Sequence, residues 1–346
     1  MHSIEVRNVH EALLRGTDLF RGNSLVQEQE SRAGTTLEAK SPVATTYLKP
    51  NERVLFWKQR DANPFFHFFE GLWMLAGRED SSYLQFFNKR MSEFSDNGIT
   101  FNGAYGFRWR KHFEKDQLDI IVRRLRMDPH DRRCVLAIWD CSHDLDRQTL
   151  DTPCNTHVYV KVRNAKLNIT VCCRSNDMIW GAYGANAVAF SMLQEYLAAR
   201  IGVEVGIYTQ ISDSFHVYKD VFDKLEANLP EISLYDKYND SFYDSISPYP
   251  MVMDPASWDN DLKNFMSGSW FGTSKYEPMD NPFFYDVAIP LLKAWGLHKS
   301  KEYKKAIFLL EDCCLAEDWK KAGIEWLTRR IGSKEKHVYT EAVIGK

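Results

Sequence analysis

The 346-residue sequence contains no uncharged apolar run long enough to cross a bilayer, which excludes a spanning helix. Its first residues, MHSIEVRNVHEALLRG, are interrupted by Glu5, Arg7, Glu11 and Arg15 and so lack the apolar core of a secretory signal. There is no CxxC pair and no Cys/His spacing of the kind that closes around zinc, so no metal is expected. The seven cysteines are odd in number and scattered, with Cys172-Cys173 and Cys313-Cys314 adjacent. They read as reduced thiols of a cytoplasmic protein rather than as a disulfide framework. Positive charge is not in excess: a net charge of −3 offers no footprint for a nucleic-acid duplex, while leaving room for a small anionic ligand. No segment repeats another.

What is present is an ordinary globular balance, 44% hydrophobic and 26% charged, enough for one large domain or two modest ones. Residues 63–77, NPFFHFFEGLWMLAG, read as a helix opened by Asn-Pro and closed by Gly. A second amphipathic helix covers 120–127, and 133–139 is a short apolar strand. Segments 157–163 and 166–172 alternate like strands and are separated only by Asn-Ala, which predicts antiparallel neighbours joined by a tight turn. Residues 187–201 have helical periodicity and stop at Gly202, and 204–210 reads as another strand. The class is α+β. From 229 to about 282 the text turns to Pro, Asp, Ser and Tyr, an irregular surface insertion, and 283–331 is helical again. The expected division is a core over 1–228 and an extension over 229–346 packed on it, because so short a helical tail buries only a marginal core alone.

Several residues carry chemistry. In DTPCNTHVYVKV, Cys154 stands between Pro153 and a strand, either a small buried hydrophobe or a nucleophile held at a rigid strand entrance. A working thiol needs nearby cations or donors, because the thiolate is the attacking form. Arg174-Ser175 and Arg132-Arg133 are either surface charge or parts of a phosphomonoester site, for which arginine's planar fork is suited. Glu70 lies inside FFHFFEGLWML, where a carboxylate must face solvent, find a partner or have a function that offsets its desolvation. His216 and Tyr218 are two apart and share one face of a strand, as a packed core pair or a grip on a ribose hydroxyl. Asn186 heads an apolar helix, either as a cap or as an amide that reads the edge of a base.

In order and approximate spacing these fragments resemble the thymidylate synthase superfamily, which contains the synthases and the pyrimidine nucleotide hydroxymethylases. The similarity runs from SRAGTT at Arg32 through EGLWMLAG, NGAYGFRWR, RRCVLAIWD, TPCN, CRSND and GANAVAF to HVY at Tyr218. The resemblance implies a central β-sheet packed with helices, a homodimer with shared active sites, a pyrimidine nucleoside monophosphate as substrate and 5,10-methylenetetrahydrofolate as cofactor. It makes Cys154 the nucleophile at carbon 6 of the base and Glu70 the organiser of proton transfer, with Tyr105 serving carbon 5. It assigns the phosphate to Arg32, Arg174 and Ser175, with Arg132 and Arg133 reaching across from the second subunit. Asp177 is implied as a catalytic residue and pterin contact, Asn186 as the base contact, and His216 with Tyr218 as the deoxyribose contacts.

The sequence also departs from the synthase pattern. Met91 and Phe94 stand near the place of a synthase tryptophan beside the folate, and Asn155 stands where histidine usually follows the catalytic cysteine. One extra residue precedes Asn186, another lies in DSFHVY, and the short apolar tail that closes over folate is not recognisable. Methylation requires that water be kept out while hydride is delivered. These departures therefore point to hydration, and Asn186 to uracil. The expected reaction is hydroxymethylation of dUMP; the alternatives are dUMP methylation, dCMP or CMP hydroxymethylation, or an inactive nucleotide- or RNA-binding relative.

Overall fold

A computed structural model describes residues 1–21, 24–31, 34–227, 236–239, 245–267 and 278–331. Eight strands form one mixed sheet: β1 (His2–Val6), β2 (Val26–Ser31), β3 (Gly34–Ala39), β4 (Val43–Tyr47), β5 (Val135–Ala137), β6 (Asn155–Arg163), β7 (Lys166–Asp177) and β8 (Glu204–Tyr218). The strand order is β1-β4-β8-β7-β6-β5, with β3 also on β8 and β2 on β3. β7 and β8 run parallel, as do β1 and β4, and the other pairs are antiparallel. The expected tight turn between β6 and β7 is present. Arg163 pairs with Lys166, and Asn164 and Ala165 both take positive φ, 51° and 56°, the two-residue geometry whose twist matches paired strands.

The longer helices are α1 (Val9–Phe20), α2 (Pro64–Leu75), α3 (Gln117–Met127), α4 (Asn186–Ile201), α5 (Trp258–Ser267), α6 (Ile289–Lys299), α7 (Tyr303–Cys313) and α8 (Glu317–Thr328). α2 begins where Asn63 caps it, its Oδ1 accepting from the Phe66 amide at 3.2 Å with Pro64 in the first turn. Of its twelve residues only Phe66 is not buried, and α4 is buried from Asn186 through Ala198. Helices apolar on all sides must be covered on all sides. The cover comes from the C-terminal part of the chain. The Phe65 ring lies 5.5 Å from Trp295 and 5.7 Å from Trp326, and Phe68 lies 5.7 Å from Phe283 and 5.1 Å from Trp319.

Here the structure corrects the sequence reading. The stretch expected to be an irregular surface insertion contains α5, whose Trp258, Leu262, Phe265 and Met266 are buried. Their spacing is that of one helix face, set among Asp, Asn, Ser and Pro that hide it. Asp259 further ties α5 to the core through Arg110 at 2.8 Å and Tyr196 at 3.0 Å. Strand limits shift as well. β5 is only three residues long, whereas β7 runs on to Asp177 and β8 to Tyr218. The polar ends RSND and SDSFHVY keep the inward alternation, with Asn176, Phe215 and Val217 buried.

Candidate active site

The entrance of β6 and the far ends of β7 and β8 meet the head of α4, and this junction brings together Cys154, Arg174, Asp177 and Asn186. Cys154 is half-buried just before β6. Arg174, one strand over, fixes it from two sides. Its backbone N–H donates to the Cys154 carbonyl at 2.9 Å. Its guanidinium donates to the carbonyls of Pro153 at 2.9 Å and Thr152 at 3.0 Å, and lies 3.9 Å from Cys154 Sγ. The indole of Trp139 sits against the same guanidinium, 5.9 Å from ring centre to Cζ. Arg174, expected as a phosphate ligand, is in this structure the clamp of the cysteine loop. Burial raises the Cys154 thiol above its ordinary range, Arg174 opposes this and Asp151 adds to it. The thiol is therefore protonated at rest, and the cation moderates the shift without reversing it.

Asp151 was not anticipated. Its Oδ2 accepts from the Gly103 amide at 2.7 Å, tying the cysteine loop to the NGAYG turn that carries Tyr105. Burial raises the Tyr105 phenol well above its usual value, Cys154 and Cys173 add to the rise, and Asn155 opposes it. That turn is pressed against α2: a Cβ at Gly106 would lie 2.0 Å from the Met74 carbonyl oxygen, so only glycine fits. Met91 and Phe94 belong to the short helix Lys89–Phe94. Asp96, just beyond it, accepts from the Thr149 hydroxyl and, at 2.9 Å, from the Leu150 amide, joining this loop to the segment that leads to Cys154.

Asn186 does not cap α4; the cap position is Ala185, without a side-chain bond. Its amide instead accepts from Asn155 Nδ2 at 3.1 Å and donates to Asn176 Oδ1 at 3.1 Å. Asp177 pairs with His216 across β7 and β8, and its Oδ1 accepts from the Trp180 amide at 2.5 Å, while Oδ2 is buried without a partner among the described residues. Burial raises this carboxyl, with the Trp180 amide, His216 and Arg60 opposing. His216 and Tyr218 meet edge to face with ring centres 5.9 Å apart. Ser175 lies half-buried between Arg174 and Asn176.

Glu70 is buried on α2, and its Oε2 has no partner among the described residues. Burial alone pushes its carboxyl up to about 8. One turn earlier, His67 is held down to about 3, first by burial and then by Arg60. Among the described residues no hydrogen bond joins Glu70 to the Cys154 cluster. Arg133 is exposed and bonds Asp131 of its own chain at 3.0 Å, and Arg132 is exposed beside it, so neither joins the cluster within one chain. Arg32 lies outside the described residues. Arg60, whose guanidinium lies 4.2 Å from the centre of the half-exposed Trp180 ring and donates to Ile179 O at 3.1 Å, was missed. Asn176 was missed too, and its one signal is a polar residue at an inward position of an alternating strand.

The family model "Thymidylate synthase" matches residues 26–235. The chain is 44% identical to a deoxyuridylate hydroxymethyltransferase of Pseudomonas phage M6 over 97% of this chain and 96% of that protein. It is 41% identical to a deoxyuridylate hydroxymethyltransferase of Bacillus phage SP01 over 54% of this chain and 52% of that protein. A putative thymidylate synthase of Methanothermobacter thermautotrophicus is 40% identical over 36% of this chain and 54% of that protein. With its mixed sheet, its strand-entrance cysteine and a family match over most of its length, this chain belongs to the thymidylate synthase family.

Proposed function

We propose that the protein is a folate-dependent one-carbon transferase that hydroxymethylates carbon 5 of dUMP through a covalent Cys154 adduct. The observation that carries the reading is Cys154 clamped by Arg174 beside the Asn155–Asn186 amide pair, in a chain similar throughout its length to a phage deoxyuridylate hydroxymethyltransferase. Carbon 5 of uracil is a poor nucleophile until sulfur adds at carbon 6 and the charge spreads to carbon 5 and oxygen 4. Arg174 stabilises the thiolate as it forms. Asn186 holds the base edge, and His216 with Tyr218 holds the deoxyribose hydroxyl. Arg32, Arg174 and Ser175 meet the phosphate, joined by Arg132 and Arg133 of a second subunit.

The residues present suit a reduced pterin: the buried, unpartnered Asp177 Oδ2 can accept from its ring nitrogens, and the half-exposed Trp180 offers a flat surface beside it. When bound, 5,10-methylenetetrahydrofolate supplies the one-carbon unit at the oxidation level of formaldehyde. Glu70, protonated at neutral pH because its site is dry, can donate a proton and recover it through water. Tyr105 borders Cys154 and Asn155 and serves proton removal from carbon 5. Water then adds to the exocyclic methylene of the nucleotide, and expulsion of Cys154 sulfur releases 5-hydroxymethyl-dUMP. Met91 and Phe94 near the place of a synthase tryptophan, and Asn155 in place of the usual histidine, depart from the synthase pattern and support hydration of that carbon rather than hydride delivery.

A homodimer is supported by a sheet face left exposed among the described residues. Val135, Tyr159, Thr170, Thr209 and Thr46 stand in register across five strands, and Val135, Tyr159 and nearby Ile207 are exposed. An apolar and threonine-rich face of this extent suits a second copy. We assign residues 1–228 to the catalytic core and 229–346 to an extension packed on it. The cytoplasmic reading is supported by the seven free thiols, and among the described residues no helix is long and apolar enough to cross a membrane. Incubation with dUMP or dCMP and methylenetetrahydrofolate tests the reading by product mass. Addition of CH2O to dUMP is expected, and a product only from dCMP, or none, would overturn it.

A further inference from the structure

Behind Asn186 runs a line of polar side chains, all sealed from solvent. Asn155, Asn176, Tyr208, Gln210 and Ser212 are exposed by 2% or less. They form one continuous sequence of hydrogen bonds. Asn155 Nδ2 donates to Asn186 Oδ1, and Asn186 Nδ2 donates to Asn176 Oδ1. Asn176 Nδ2 donates to Gln210 Oε1 at 2.7 Å and to Ser212 Oγ at 2.9 Å, and Gln210 Nε2 donates to Tyr208 Oη at 2.7 Å. Space is reserved for the middle bond: a Cβ at Gly181 would lie 2.6 Å from Asn176 Oδ1 and 3.3 Å from Asn186 Nδ2.

Stitching β7 and β8 together does not require these residues, since apolar side chains at the same inward positions would pack without any unpaired group. The line has a direction, and direction matters to a ligand. Each neighbour takes one group of the Asn186 amide, leaving one N–H and one lone pair. Uracil presents a donor at N3 and an acceptor at oxygen 4. Cytosine presents an acceptor at N3 and a donor at N4. An asparagine in one orientation matches the first edge, and the same asparagine turned over matches the second. Turning Asn186 alone would set oxygen against oxygen at Asn176 and N–H against N–H at Asn155, so it can turn only if its neighbours turn too.

We propose that Asn155 and Asn176 are specificity-determining positioning residues, which hold the Asn186 amide in one orientation and thereby select uracil over cytosine. The inference rests on the reading of Asn186 as the base contact. It gives opposite expectations for one chemical change at two positions, because a carboxylate can only accept. In Asn176→Asp, position 176 still accepts from Asn186 Nδ2, so the orientation and the preference for dUMP are kept. In Asn155→Asp, position 155 no longer donates to Asn186 Oδ1 and can bond only its Nδ2, so Asn186 turns over together with Asn176, whose Oδ1 then accepts from the Ser212 hydroxyl, and the preference moves toward dCMP.

Binding of dUMP and dCMP is measured by calorimetry in a Cys154→Ala background, where no reaction intervenes. The dUMP-to-dCMP affinity ratio should stay within about threefold in Asn176→Asp and fall at least tenfold in Asn155→Asp, the scale on which a mismatched buried polar edge discriminates. Asn176→Leu, free of any new charge, should lower the ratio by releasing Asn186 Nδ2, and it decides the matter if a carboxylate variant fails to fold. Equal ratios in Asn155→Asp and Asn176→Asp, or an unchanged ratio in Asn176→Leu, would overturn the inference. Asn186→Ala separates this from the underlying reading. A lost preference there beside unmoved neighbours sinks only the positioning role, whereas a preserved preference in Asn186→Ala sinks the base contact itself.

Discussion

Cys154→Ala is expected to abolish product while nucleotide affinity stays within about tenfold of the native protein, because the sugar, base and phosphate contacts proposed above lie on other residues. Turnover at a native rate in that variant would remove the covalent mechanism. Glu70 gives a second test through stability. Its carboxyl stands near 8 in the fold and returns to its ordinary value when the chain unfolds. A raised carboxyl contributes stability that is fully present below its unfolded value and is lost as pH rises through the folded value. Between pH 4 and pH 9 the loss is on the order of 4 kcal/mol. Glu70→Gln should therefore melt above the native protein at pH 8.5 and converge with it near pH 4.5, with its activity reduced. Parallel melting curves at the two pH values would contradict the buried-acid assignment. Glu70 and Cys154 were legible in the sequence because each interrupts its surroundings, an acid among aromatics and a thiol between proline and a strand. Asn176 was not, because its meaning depends on Gln210 and Ser212, which a neighbouring strand brings beside it.

The elements that position the site are held by close backbone approach. Gly106→Ala would drive a methyl into the Met74 carbonyl, backbone against backbone, which neither the turn nor α2 can relieve by rotating a side chain. A loss of about 2–3 kcal/mol is expected, with a fall in activity as Tyr105 is displaced. Unchanged melting and turnover would mean that the NGAYG turn is not rigidly seated on α2. Helices α2 and α4 could be read from sequence because their apolar character is continuous. The strands β7 and β8 could be read only in their apolar halves, since serine, aspartate and asparagine weaken the alternation where the strands become the floor of the site. Helix α5 escaped because its four buried apolar residues were outnumbered by the polar ones between them.

Across the whole molecule, the aromatic contacts of α2 make the C-terminal helices part of the core. Trp319→Ala, which empties the space against Phe68, should cost about 3–5 kcal/mol and keep a single unfolding transition. Two separate transitions would mean that the extension folds independently. The dimer is tested by mixing an Arg133→Ala chain with a Cys154→Ala chain: hybrid sites that draw arginine from one chain and sulfur from the other should restore part of the activity, and no rescue would argue against sharing. The central claim is that water, not hydride, ends the reaction at carbon 5. Turnover of dUMP with methylenetetrahydrofolate in heavy-oxygen water, followed by mass spectrometry of both products, tests it most directly. The expected outcome is 5-hydroxymethyl-dUMP carrying one solvent oxygen, with the folate released as tetrahydrofolate. A 5-methyl nucleotide with an equal amount of dihydrofolate would contradict it.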